Sequence, residues 1–324
     1  MRLIYILSIL IFLTACEAPL VLDGVEASKS SNILRTDIFM AGDDNGSKSV
    51  IVGSEGLIMV ADSGSSNWKR NKVDGNPVLV DVTSCPNGMF AALSMEGTVD
   101  VSEDDGKTWI QNKLDTQEVP QAITCDPKNR LWVVGSFTTI FSSSDNAKSW
   151  TSHSKDEDMI MSTVQFLDEN KGVITGEFGT VLMTENGGET WDFAEPIPKE
   201  FAPLGGTFLD SQHGWVVGLN GTIYSTSDGG ASWQQEKTGV DAPLFGIAIA
   251  NDHLIAVGDA GTIIQRDINA SGDSWEALDV PITSRFFFRV VMPLQDNKMI
   301  IAGGAGSIEL VDLGNVNFLN VEIN

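Results

Sequence analysis

The stretch Thr226-Ser227-Asp228-Gly229-Gly230-Ala231-Ser232-Trp233 decides the fold, because related stretches recur along the chain at a nearly constant interval. Six tryptophans lie 41 or 42 residues apart and mark the copies: Trp68, Trp109, Trp150, Trp191, Trp233 and Trp275. Phe318 takes the tryptophan's place in a seventh copy, and Gly306 precedes it by twelve residues, as Gly221 precedes Trp233. A period of about forty residues is typical of propellers and solenoids.

The content of each repeat distinguishes these two architectures. Apolar runs such as Leu131-Trp132-Val133-Val134 are followed by a tight Gly-x-x-Gly turn, as between Gly218 and Gly221, and this pattern predicts two strands joined by a hairpin. One further strand precedes the pair, another follows the tryptophan, and a helical period is not seen. The sequence therefore predicts an all-β fold, a seven-bladed β-propeller of four-stranded antiparallel blades.

The predicted propeller occupies residues 34–324. Its blades are expected near residues 35–73, 78–114, 120–155, 160–200, 203–238, 243–280 and 285–324. Because both ends of this segment hold whole repeats, two ways of closing the ring stay open. Blade seven packs directly on blade one, or a strand from the preceding segment joins the ring; either arrangement hides sheet edges that a linear array would expose.

The composition excludes several classes of function. A chain of 324 residues with 42% hydrophobic residues is expected to fold, as one large domain. The formal charge of -24 repels phosphate backbones, so nucleic acid is a poor partner. Three cysteines and three histidines offer little material for zinc sites or histidine-dependent triads, and no cofactor is expected.

The N-terminus carries an export signal. Arg2 is followed by an apolar run from Leu3 to Leu13, which has the length of a signal-peptide core. The sequence Leu13-Thr14-Ala15-Cys16 resembles the bacterial lipobox, which predicts a lipoprotein signal peptide over residues 1–15, lipid on Cys16 and a lipidated tether over residues 16–33. Glu17 stands where an Asp would favour retention in the inner membrane, so the resemblance to lipoprotein sorting rules implies the outer membrane, facing the periplasm of a Gram-negative bacterium.

The turn before each tryptophan matches the Asp-box, or bacterial neuraminidase repeat. Its residues are Ser102, Asp104, Gly106 and Trp109; Asp145 and Trp150; Asn186, Gly188 and Trp191; and Asp228, Gly230 and Trp233. The Asp is expected to accept hydrogen bonds within its own turn, the glycine to supply a positive φ, and the tryptophan to pack over the hairpin. These are structural residues and no metal site is expected, because one or two carboxylates per turn are too few for calcium.

The chain resembles the photosystem II stability and assembly factor-like propellers. The resemblance rests on the Asp-box repeats and on the motif Phe208-Leu209-Asp210 followed by His213-Gly214-Trp215-Val216-Val217-Gly218. It implies the propeller fold over nearly the whole mature chain. Photosynthetic members of that family are assembly chaperones with a patch of arginines on one face, at the entry to the innermost strands, and only part of that set is present here.

The candidate partner-binding residues lie at the entry to the innermost strands of blades one and seven: Arg35, Arg285, Phe286, Phe287, Phe288 and Arg289. Arg35 and Arg285 occupy the same repeat position, each 33 residues before the Trp or Phe of its blade. Cations and aromatics on one face of an acidic molecule are typical of a recognition surface. A second interpretation stays open, in which the phenylalanines fill the core between blades and the arginines pair with carboxylates.

Cys85 and Cys125 occupy nearly equivalent positions in adjacent repeats. Export makes a disulfide between them chemically allowed. Equivalent positions in neighbouring blades can also be too far apart, since Cα atoms beyond roughly 7 Å cannot be bridged without movement. Both possibilities stay open at this point.

No catalytic residues are assigned. A sialidase needs an arginine cluster and a tyrosine nucleophile, yet the tyrosines are Tyr5, in the signal, and Tyr224, in a blade strand. We therefore expect a non-catalytic, lipid-anchored platform that binds an envelope or membrane protein and acts as an assembly or stability factor. The alternative is a glycan-binding protein or glycosidase of the Asp-box type, because a pair of carboxylates would suffice for hydrolysis.

Overall fold

The computed structural model describes residues 32–270, 275–278, 286–313 and the backbone of 317–319. These residues form seven four-stranded antiparallel sheets, which confirms the predicted seven-bladed β-propeller. Each sheet is built from one contiguous segment, with its strands side by side in chain order.

The strands of the first four blades, from innermost to outermost, have the following bounds. Blade one holds Phe39–Asp44, Lys48–Gly53, Leu57–Asp62 and Lys69–Lys72; blade two holds Leu79–Ser84, Phe90–Ser94, Thr98–Ser102 and Ile110–Lys113. Blade three holds Pro120–Cys125, Leu131–Gly135, Ile140–Ser143 and Thr151–Ser152; blade four holds Met161–Phe166, Gly172–Gly176, Val181–Thr184 and Asp192–Phe193.

The remaining three blades follow the same order. Blade five holds Gly205–Phe208, Gly214–Val217, Ile223–Thr226 and Gln234–Glu236; blade six holds Leu244–Ala250, His253–Gly258, Ile263–Asp267 and Glu276–Ala277; blade seven holds Phe288–Pro293, Lys298–Gly303, Ile308–Asp312 and Asn317–Leu319. Five 3-10 turns join second to third strands: Ser54–Gly56, Glu177–Gly179, Leu219–Gly221, Asp259–Gly261 and Gly304–Gly306. No helix in the described part of the chain is long and apolar enough to cross a membrane.

The hydrophobic core lies between neighbouring blades. The second strands are buried on both faces, as in Leu131–Gly135, because each blade packs against a neighbour on either side. This burial explains why these strands have continuous apolar sequences and not the alternation of a half-exposed strand.

The ring closes by direct packing of blade seven on blade one. Phe39 and Ile51 of blade one share one core cluster with Val290 and Ile300 of blade seven, and both blades are complete without a strand from residues 32–38. The segment before blade one reinforces this junction, since the carbonyl of Asp37 accepts a hydrogen bond from the N–H of Gly306 at 2.9 Å.

The Asp-boxes are self-contained hydrogen-bonded turns. In blade five, Asp228 Oδ1 accepts the N–H of Ser232 at 2.9 Å and Oδ2 accepts its hydroxyl at 2.6 Å, while Thr226 Oγ1 accepts the N–H of Gly230 at 2.8 Å. The same bonds recur around Asp104 and Asp145. Hydrogen bonds from the hydroxyl and the N–H of Ser149 lower the pKa of Asp145 to about 2. Each carboxylate is thus occupied within its own turn.

The junction of blades five and six contains a buried charged cluster. Glu236 Oε2 accepts the indole N–H of Trp275 at 2.6 Å, and Oε1 accepts that of Trp215 at 3.2 Å and Arg266 Nη2 at 3.2 Å. Arg266 Cζ lies 5.8 Å and 5.4 Å from the ring centroids of Trp215 and Trp275. Ionic, aromatic and hydrogen-bonding contacts therefore join the two blades at one point.

Candidate partner-binding face

One face of the propeller carries the loops that enter the innermost strands and the turns between second and third strands. We call it the entry face. Its described loops are residues 32–38, 54–56, 73–78, 95–97, 114–119, 136–139, 153–160, 177–180, 194–204, 218–222, 237–243, 259–262, 278, 286–287 and 304–307. The Asp-boxes lie on the opposite face, because they join third to fourth strands. A patch at the entry face is therefore separate from the Asp-box turns.

The predicted partner-binding residues occupy several different environments. Arg35 and Phe286 are exposed on the entry face. Phe287 is half-buried, and its ring contacts that of Phe245 edge-on with centroids 6.1 Å apart. Phe288 is fully buried in the core between blades six and seven, so it supports the face from beneath and cannot itself contact a partner.

The last two members of the predicted set are the arginines that flank the phenylalanines. Arg285 lies outside the described residues. Arg289 lines the central channel of the ring, away from the rim where Arg35 is exposed. Thus the described members include exposed rim residues, supporting core residues and one channel residue.

A β-bulge explains the position of Arg289. In six of the seven blades the register of the innermost strand shifts around its second residue, as between Phe288 and Val290 in blade seven. A bulge adds an unpaired residue and redirects its side chain. The bulged residues and Leu204 at the equivalent place in blade five all line the channel: Met40, Val80, Gln121, Ser162, Leu204, Phe245 and Arg289.

The seven residues at the channel mouth thus comprise four apolar side chains, two uncharged polar ones and one cation. The cavity behind it has a volume of about 230 Å³. Within it, burial raises the pKa of Asp81 to about 7, while hydrogen bonds from the N–H groups of Ile123 and Val82 and the charge of Arg289 oppose that rise. Burial lowers the pKa of Arg289, and the charge of Asp81 raises it.

Two carboxylates on innermost strands join neighbouring blades. Asp81 Oδ2 in blade two accepts the N–H of Ile123 in blade three at 2.8 Å, and Asp43 Oδ2 in blade one accepts the N–H of Ser84 in blade two at 2.5 Å. Burial raises the pKa of Asp43 as well. These hydrogen bonds between blades give both carboxylates a structural role. Among the described residues, no group of three or more His, Cys, Asp or Glu side chains could hold a metal ion.

Exposed apolar side chains concentrate on the entry face. Ten large hydrophobic side chains are exposed among the described residues, and seven of them belong to the loops of this face: Ile38, Met95, Val119, Phe137, Phe178, Leu219 and Phe286. Exposed apolar groups gathered on one side of a soluble domain are typical of an interaction surface. Sequence reasoning identified Phe286 but missed the others, although a phenylalanine inside a Gly-x-x-Gly turn, as in Gly176-Glu177-Phe178-Gly179, was a visible signal.

The two internal cysteines are bonded to each other. Cys85 follows the innermost strand of blade two, Cys125 ends that of blade three, and their Cα atoms are 5.2 Å apart. The blades are therefore close enough here for a disulfide, which joins them away from the entry face.

These features define a seven-bladed β-propeller of the Asp-box type with a partly apolar entry face. Residues 189–285 match the family described as Photosynthesis system II assembly factor YCF48, which confirms the predicted resemblance. No curated protein matches the chain by sequence.

Solved structures with the same fold have diverse functions. A structure of YCF48 bound to a D1 peptide has a TM-score of 0.70 and 16% identity, covering 84% of this chain and 92% of that one. Virginiamycin B lyase from Staphylococcus aureus has a TM-score of 0.73 and 13% identity, covering 86% and 96%. The GH74 xyloglucanase from Xanthomonas campestris has a TM-score of 0.71 and 12% identity, covering 87% and 53%. At these identities the likeness concerns the fold.

Proposed function

We propose that this protein is a non-catalytic propeller that binds another protein through its entry face and acts as an assembly or stability factor for a cell-envelope complex. The concentration of exposed apolar side chains on that face carries the proposal. The match of residues 189–285 to an assembly-factor family, and the peptide bound to a propeller of the same fold, support it.

The lipid anchor is part of the same proposal. Leu13-Thr14-Ala15-Cys16 would place a lipid on Cys16 and hold the propeller at a membrane, by our prediction the outer membrane facing the periplasm. Labelling cells with a radioactive fatty acid tests this part, with Cys16→Ser as the matched variant. Label on the wild type and none on the variant is expected, whereas an unlabelled wild type would contradict lipidation.

Partner capture from native membranes tests the binding function. Tagged full-length protein is purified after crosslinking beside a variant with Arg35→Glu and Phe286→Ser, both exposed on the entry face. A membrane or envelope protein enriched with the wild type and reduced with the variant is expected. If the wild type enriches no protein and instead binds glycans on an array, the protein-binding proposal is wrong and the glycan alternative replaces it.

A further inference from the structure

Four consecutive blades each present one large apolar side chain at the same turn of the entry face. The turn joins the second and third strands, and the four residues are Met95 in blade two, Phe137 in blade three, Phe178 in blade four and Leu219 in blade five. We call these four residues the apolar arc. Blades one, six and seven carry Ser54-Glu55, Asp259-Ala260 and Gly304-Ala305 in that turn, so the arc covers one side of the ring only.

Two members of the arc have an unfavourable backbone conformation. Phe137 and Phe178 have φ values of 52° and 57°, in the left-handed region that bulky residues avoid. The slot of Phe178 holds Asn220 in blade five and Ala260 in blade six, with φ values of 55° and 53°. Phe178 is 58% exposed, so burial in the propeller does not explain its presence there. A strained side chain that the fold does not require is a candidate functional residue.

Backbone hydrogen bonds fix three of the four turns that carry the apolar arc. In blades two, three and four the first residue of the turn is tied to the entry of its own blade, since the N–H groups of Met95, Ser136 and Glu177 donate to the carbonyls of Val78, Val119 and Ile160 at 3.0, 3.0 and 2.9 Å. Anchors that are already ordered lose little conformational entropy when a partner binds.

The loops of the entry face that surround the apolar arc are mainly acidic. The described loops of the entry face contain fourteen Asp and Glu residues against four Lys and Arg. Two of these acids, Glu96 and Glu177, are direct neighbours of Met95 and Phe178. This acidic surface repels anionic lipid headgroups and acidic segments, and it attracts cations. It therefore differs from the arginine patch that the family resemblance implies.

We infer that the apolar arc binds a basic amphipathic segment of the partner protein, one in which Leu, Ile or Phe side chains contact the arc while Lys or Arg side chains face the surrounding carboxylates. The inference rests on the proposed function and specifies the chemistry of its partner. Apolar anchors then supply affinity, and the acidic loops supply orientation and fast association.

The test compares the wild type with Phe137→Asn/Phe178→Asn and with Leu209→Asn as a matched control. Asn already occupies this slot in blade five, so the double variant is expected to be at least as stable as the wild type. Leu209 is equally exposed, at 51%, but lies on the opposite face. A random peptide library displayed on phage is selected on each protein. Peptides rich in Lys or Arg together with Leu, Ile or Phe should be enriched on the wild type and on Leu209→Asn, with affinity about tenfold or more weaker for the double variant.

Three results would overturn the inference. In the first, the selected peptides are rich in Asp and Glu. In the second, they bind the double variant as well as the wild type, which is the result expected of non-specific attraction to an acidic protein. In the third, vesicles of phosphatidylcholine bind the wild type and not the double variant, which would assign the arc to a membrane surface. Capture from native membranes distinguishes failure of this inference from failure of the proposed function. A partner retained equally by the wild type and the double variant contradicts binding through the apolar arc but is consistent with the proposed function.

Discussion

The buried cluster at the junction of blades five and six makes the strongest stability prediction. Glu236 is the only carboxylate in hydrogen-bonding contact with Arg266 among the described residues, and both side chains are buried. Glu236→Gln preserves the shape of the side chain but leaves the guanidinium without its counter-charge. Removing one partner of a buried ion pair costs about 3–5 kcal/mol. We expect a loss near the lower end, about 3 kcal/mol, because the two tryptophan rings still contact the cation.

A double-mutant cycle separates the ion pair from packing. Arg266→Met removes the cation and keeps an apolar stem between Trp215 and Trp275. In the double variant Glu236→Gln/Arg266→Met, neither of these two side chains is charged. Its loss should be smaller than the sum of the single losses by about 2 kcal/mol, within the range for contacting residues. Urea unfolding at pH 7, followed by tryptophan fluorescence, measures all four proteins, and an unchanged m-value shows that the same surface unfolds.

Two outcomes would refute this reasoning. If Glu236→Gln changes the free energy of unfolding by less than about 0.5 kcal/mol, as for a surface position, the carboxylate does not compensate Arg266. If the single losses add, the two side chains stabilise the junction independently, and the ion pair contributes nothing of its own.

Three further predictions concern the disulfide, the channel and the Asp-boxes. Replacing Cys85 and Cys125 by Ser should cost roughly 2–4 kcal/mol, because the bond closes a loop with a sequence separation of 40, and chemical denaturation with and without reductant measures it; an equal midpoint in both would contradict the bond. Burial raises the pKa of Asp81 in the channel to about 7 and that of Asp100, in the third strand of blade two, to about 6, so at these two carboxyl groups the folded state binds more protons than the unfolded chain, and their contribution to stability should fall as pH rises from 4 to 8. Asp81→Asn should flatten that decline in denaturation curves across this pH range, and an unchanged slope would show that Asp81 is ionised throughout. Asp145, whose pKa is lowered to about 2, should have the opposite effect: Asp145→Ala lowers the melting temperature at pH 7, and the difference shrinks as pH falls from 4 towards 2.

The fold could be predicted from the sequence because its signals are local and repeated. A tryptophan every 41 or 42 residues and a turn whose Asp, Ser and Gly bond within eight residues need no long-range information. Ring closure and the Cys85–Cys125 bond stayed open, because both depend on how far apart neighbouring blades lie. The Glu236–Arg266 pair was missed for the same reason, since its members are 30 residues apart and lie in different blades.

The site was harder to predict because a bulge breaks the alternation of a strand. In a regular strand successive side chains point to opposite faces, so Phe288 and Arg289 are expected on opposite sides and Val290 on the side of Phe288. The bulge adds a residue, and the sequence pattern alone does not show where it falls. Of the predicted patch, the structure exposes Arg35 and Phe286 on the rim and buries Phe288, while Arg289 faces the channel.

Departures from the repeat carry the functional information in this chain. Every blade must supply the same buried strands and the same turns to pack on its neighbours, so residues that recur are explained by the fold. The left-handed slot of the entry-face turn needs a residue that tolerates positive φ, and Asn220, Ala260 and Ala305 satisfy it with short side chains. Phe178 satisfies the same slot at a cost in strain and exposes an aromatic ring. A phenylalanine at this position does not stabilise the fold, whereas contact between its ring and a partner would account for its presence.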